Sequence, residues 1–193
     1  MRREDLLRTA CDVIVERGFG RARTIDVAKA AGVSQALLFY HFESREKLFA
    51  EAFAYAANRD LEGLGKLEES EGSPVERLSG LCKLYLPSAR SKSWALWIDA
   101  WSESMRDHDL EKVSRALDLR WKRALQAILE DGVAQGVFRC PDPEGATWRL
   151  LSMIDGLAVQ ITVHKRVLTR ARVAELVRAA AASEIGLSAE LLK

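Results

Sequence analysis

Apolar positions recur along this chain at spacings of three and four, and no segment keeps the apolar–polar alternation of a half-buried strand. The pattern predicts an all-α protein. Leu6, Ala10, Val13 and Ile14, with Arg17 closing the period, mark a first helix that Gly18 and Gly20 stop. Thr24 reads as the N-cap of a second helix reaching Ala31, with Ile25, Val27, Ala28 and Ala31 on its inner face. Gly32 ends it. Ser34 caps a third helix running to about Tyr40, and Ser44 caps a fourth whose stripe is Leu48, Phe49, Ala52, Phe53 and Ala56. "EESEGSP" (68–74) is the first loop. Further helices are predicted over about 74–89, 93–105, 109–135, 143–164 and 169–182, with Asp142 capping the one that Pro143 opens.

Two short helices joined by "AGVS" within 24–48 make a helix-turn-helix. Ala28 is small where the helices cross, Gly32 supplies the turn, and Val33 fills the angle between them. Leu38 and Phe42 then point to the core, leaving Gln35, Ala36, Leu37, Tyr40 and His41 on or beside the outward surface. A recognition helix reads base edges with its N-terminal residues and touches the backbone with its flanks. Gln35 can bond bidentately to adenine, and Leu37 can meet a thymine methyl. Thr24, Ser34, Tyr40, His41 and Lys47 have the chemistry of phosphate contacts. The spacing alone fits a plain helical hairpin equally well.

Residues 5–53 resemble the N-terminal domain of TetR-family transcriptional regulators, through "ACDVIVERGFGRARTIDVAKAAGVSQALLFYHFESREKLF". "TIDVAKAAGVS" and "YHFESREKL" are its most specific parts. The resemblance implies operator contacts by Thr24, Ser34, Gln35, Ala36, Leu37, Tyr40, His41 and Lys47. Leu37 stands where a small or hydroxylated residue is usual and Phe39 where tyrosine is common, which bears on the bases read. Residues 74–185 resemble the C-terminal domain of the BetI-like subgroup, which implies a homodimer and a cavity for a small-molecule effector. The expected architecture is a three-helix DNA-binding domain (1–50) joined to a larger helical domain for ligand binding and dimerisation (51–193). The expected function is ligand-released repression at a palindromic operator of double-stranded DNA. A constitutive DNA binder or activator without an effector is the alternative.

Trp94, Trp97, Trp101 and Met105 share one face of the helix at 93–105, and Trp121 belongs to a second stripe with Leu110, Val113, Leu117, Ala124 and Ile128. Indole faces hold flat ligands or cations but also pack cores, so Trp97, Trp101, Trp121 and Asp155 are the candidate effector contacts. Asp99 and Glu103, one turn apart on a neighbouring face, are expected in solvent. Asp155 and Gln160 interrupt an apolar helix, and each needs a partner if buried.

Composition adds exclusions. Of the 193 residues 48% are apolar and 30% charged, an ordinary globular balance. The net charge is +1, and the first 50 residues carry nine basic and seven acidic side chains. Any affinity for DNA must therefore come from where charges sit. Three cysteines, Cys11, Cys82 and Cys140, are odd in number and far apart, as thiols in a reducing cytoplasm are. They lack metal-site spacing. His41, His108 and His164 are isolated, and no Glu-x-x-His pair, Gly-x-Ser-x-Gly elbow or phosphate loop occurs. No enzyme activity, metal or cofactor is expected. No apolar run approaches the ~18 residues a bilayer demands, and the N-terminus lacks a signal-peptide core, so a cytoplasmic protein without a membrane partner is expected.

Overall fold

The computed structural model describes residues 2–86, 93–164 and 167–192. Among them are nine α-helices and no strand: α1 (Arg3–Arg17), α2 (Thr24–Ala31), α3 (Gln35–His41), α4 (Arg45–Glu68), α5 (Pro74–Tyr85), α6 (Ser93–Ser104), α7 (His108–Ala134), α8 (Pro143–Val163) and α9 (Arg170–Ile185). A short 3-10 turn follows at Ala189–Leu191. Among the described residues no helix is long and apolar enough to cross a membrane.

The helix ends follow from their caps. The Ser44 hydroxyl accepts the Lys47 amide at 3.1 Å, and Ser73 and Glu76 form a reciprocal capping box ahead of Pro74. Asp142 accepts the Gly145 amide at 2.9 Å, and Thr169 caps α9. Thr24 departs from expectation: it is the first helical residue, Arg23 holds the cap position, and the Thr24 hydroxyl is engaged elsewhere. Ile25 also leaves the inner face and is 38% exposed, because helical spacing groups Thr24, Val27, Ala28 and Ala31 instead. Helix α9 runs past 182 to Ile185, which is fully buried and whose carbonyl accepts the Arg139 amide at 2.9 Å. Of the predicted helix at 74–89, residues 87–89 lie outside the described residues.

The chain forms two compact units, Met1–Arg59 with Lys92–Asp118, and Asp60–Ser91 with Leu119–Lys193. Helices α4 and α7 contribute residues to both. In the first unit Phe19, Phe49 and Phe53 are buried, with the Phe19 ring edge-on to the other two at 6.4 and 6.2 Å. Trp97 extends this cluster, edge-on to Phe53 at 4.8 Å. Met105 does not join it: α6 has ended, and Met105 is 75% exposed. The second unit buries Leu78 and Leu81 of α5, Leu125 of α7, Leu150 and Leu151 of α8, and Val177 of α9.

Candidate functional site

Helices α2 and α3 meet at a turn made by Gly32, whose φ of 68° is the left-handed conformation that a side chain would penalise. The Val33 amide reaches back to the Ala28 carbonyl at 2.9 Å, and the Ser34 hydroxyl accepts the Leu37 amide at 3.2 Å. Leu38 and Phe42 are buried as expected. The opposite face is open: Tyr40 is 82% exposed, Ala36 is exposed, and Gln35, Leu37 and His41 are half-buried. Phe39, 47% exposed, adds an outward aromatic.

Two of these side chains are tied together. Gln35 Nε2 donates to Thr24 Oγ1 at 3.0 Å, which orients the amide and leaves its oxygen and second N–H free of that bond. At the start of α4, Lys47 Nζ lies 3.1 Å from Glu43 Oε2. That contact, with Asp109 adding a smaller attraction, holds the ammonium above its ordinary value. Glu43 was not singled out from sequence, although its position four residues before Lys47 is the signal for such a pair.

Arg45 was counted only as a charge, yet it builds the head. Its guanidinium donates to the Phe19 carbonyl and, at 3.3 Å, to the Ala22 carbonyl, and it lies over the Phe49 ring at 4.7 Å. A cation in a first helical turn is opposed by the helix dipole, and that misfit is the sequence signal that it has a partner. Asp99 corrects an expectation outright. It is half-buried, and its Oδ2 accepts the Phe19 amide at 2.7 Å.

The four candidate effector residues separate into two pairs, one in each compact unit. Trp97 and Trp101 lie together in the first, with ring centres 5.8 Å apart and Trp94 6.0 Å from Trp101. The Trp101 indole nitrogen is buried with no hydrogen-bond partner among the described residues. In the second unit Trp121 and Asp155 meet through Tyr85, which sequence reasoning missed. The Tyr85 ring is edge-on to Trp121 at 4.8 Å, and its hydroxyl donates to Asp155 Oδ1 at 2.8 Å. Burial pushes the Asp155 carboxyl up, while Tyr85 and, more weakly, Lys122 pull it back. Lys122 Nζ lies 4.0 Å above the Trp148 ring. Gln160 is exposed on α8 and needs no buried partner.

Comparison with known proteins places this geometry. Residues 6–52 match the family of bacterial regulatory proteins of the tetR type, and residues 74–186 match the BetI-type transcriptional repressor C-terminal family. The regulator BetI of Rhizobium meliloti is 30% identical over 171 residues, covering 83% of this chain and 77% of the relative. The repressor KstR2 of Mycolicibacterium smegmatis is 27% identical over 143 residues, covering 73% and 69%. A transcriptional regulator from Saccharomonospora viridis, solved in complex with choline, superposes with a TM-score of 0.83 at 27% identity, over 92% of this chain and 93% of that one. The two family matches together span both the helix-turn-helix and the helices that follow it, and the chain belongs to the TetR family of bacterial regulatory proteins, as a helix-turn-helix transcriptional repressor of the BetI type.

Proposed function

We propose that this repressor grips a palindromic operator as a homodimer and lets go when a small organic cation binds its C-terminal part. The observation that carries the DNA half is the outward face of α3: a buried Leu38 and Phe42 behind, an oriented Gln35 and an exposed Tyr40 in front. Gln35, Ala36 and Leu37 read base edges, while Thr24, Ser34, Tyr40, His41 and Lys47 hold phosphates. Residues 1–50 do the reading; residues 51–193 supply the effector site and the dimer contact. The dimer packs α8 and α9 against their symmetry mates, a reading supported by Met153, Leu157 and Val159, which one chain leaves half-buried. The protein works in the cytoplasm, where its operator is.

The effector reading is supported by the choline-bound relative and by Tyr85, Trp121 and Asp155. A half-buried carboxylate costs free energy that a cation beside it would offset, and aromatic rings favour the same charge. Coupling of about 1–3 kcal/mol between ligand and DNA makes a useful switch, and the two must weaken each other equally.

The test begins with the duplex that the protein selects from a random pool. Lys47→Ala and Tyr40→Ala should both weaken binding to it, and Lys47→Ala should also make its salt dependence shallower by about one charge, the neutral Tyr40 leaving the slope unchanged. Leu157→Glu should give a monomer by light scattering that binds the duplex poorly. Choline should release the duplex, with an affinity that rises with pH as Asp155 ionises. Unchanged binding by both head variants would refute the DNA reading; full occupancy of the duplex at saturating choline would leave a constitutive DNA binder.

A further inference from the structure

The loop from Gly18 to Arg23 joins α1 to α2, and one residue in it is held at three points. The Phe19 carbonyl accepts from Arg45 of α4, and its ring is wedged between Phe49 and Phe53. Its amide donates to Asp99 of α6, 80 residues away in sequence. The backbone is shaped for that last contact. Gly18 has φ 81° and ψ 156°, a region essentially reserved for glycine. A Cβ there would stand 3.1 Å from Asp99 Oδ2, so the loop approaches the carboxylate closely as well. One turn along α6, Glu103 Oε2 lies 3.8 Å from where a Cβ on Gly20 would be. Helix α6 thus turns its acids toward the loop and its tryptophans into the aromatic cluster, with Trp97 on Phe53.

Resting on the DNA-binding reading above, we propose that Asp99 is a positioning residue for operator recognition: through the Phe19 amide it fixes the loop from which α2 departs, and so sets the pose of α2 and α3 on DNA. The bond is charge-assisted and half-buried, the kind whose geometry is worth most. It is also short enough that a slip of α6 by about 1 Å would take it from 2.7 Å beyond hydrogen-bonding length. The pose of the reading head therefore depends on α6 as well as on the helix that Arg45 opens.

Reciprocity gives a test on the unaltered protein. If the Asp99–Phe19 bond favours DNA binding, DNA must favour the bond. Amide exchange of Phe19, measured with and without the duplex selected by the wild type, should slow at least fivefold more than that of Ala10, a buried residue of α1 in the same unit, which reports stabilisation of that unit as a whole. Phe19 slowing no more than Ala10 overturns the proposal. Variants supply the second arm. Asp99→Ala should bind the selected duplex at least tenfold more weakly per folded molecule, with a shallower salt slope, and Asp99→Asn, whose side-chain oxygen still accepts the amide, should recover most of the loss. A folded Asp99→Ala protein that binds with wild-type affinity and slope shows a bond that only steadies the loop, and overturns the proposal. A wild type that selects no duplex at all removes the DNA reading itself, a different failure.

Discussion

The reading head and the Tyr85–Trp121–Asp155 cluster use polar side chains in opposite ways. In the reading head, on α3 and at the start of α4, the polar groups face solvent and are tied to neighbours close in sequence: Gln35 to Thr24, Lys47 to Glu43. In the second unit a carboxylate is drawn in among aromatics and bonded to a tyrosine 70 residues away. The first arrangement costs little stability and leaves hydrogen-bonding capacity free for a partner. The second costs desolvation and is tolerable only while Tyr85 remains bonded. Substitutions should therefore separate the regions: the face of α3 alters binding without altering folding, whereas the cluster alters both.

The sharpest break in that comparison lies within α3 itself. Leu38→Ala removes a side chain that is 1% exposed and should cost about 2–5 kcal/mol, read by denaturant unfolding, while Tyr40→Ala leaves the unfolding midpoint unchanged and loses only DNA affinity. Next comes the cluster. Tyr85→Phe takes a donor from a half-buried carboxylate and should cost about 1–3 kcal/mol, with choline affinity falling as well. Gln35→Ala should leave stability alone and relax preference at one base position by about 1–3 kcal/mol, measured by competition among single-base variants of the selected duplex.

Acidity sharpens the contrast further. Because burial raises the folded-state value of Asp155 above its unfolded one, the folded protein holds this proton more tightly, and its stability contribution falls as pH rises through that window. Asp155→Asn and wild type should melt together below about pH 3.9, and the variant should melt higher once the wild-type carboxylate is ionised. The smallest effect is at the surface. Glu43→Gln frees the Lys47 ammonium and should tighten DNA binding two- to threefold at low salt, a gain that vanishes as salt screens the pair.

What was legible in the sequence divides along the same line. The helices, the Gly32 turn, the Ser34, Ser44 and Asp142 caps, and the outward set on α3 follow from spacings of a few residues, and the structure has them. The shift of the α2 cap from Thr24 to Arg23 is one residue, the ordinary blur of a helix end. Partners across long stretches of chain were not legible. Nothing local distinguishes Tyr85 at the end of α5, or says which face of α6 meets a loop rather than water, so Asp99 looked like any exposed acid. Arg45 and Glu43 lay between, each with a local cue in helix electrostatics.

The first unit is assembled from two separated stretches of chain, and this sets an order of events during synthesis. Helices α1 to α3 leave the ribosome first, but Asp99 follows Phe19 by 80 residues, which takes about 4–16 s at bacterial elongation rates. During that interval the nascent reading head has its hydrophobic stripe and its turn, yet lacks one of the three holds on Phe19. A chain released between Lys47 and α6 would carry every residue proposed to meet DNA and still present them on an unsecured loop. Operator affinity would then mark completion of translation through α6, and truncated products would compete poorly with the finished repressor.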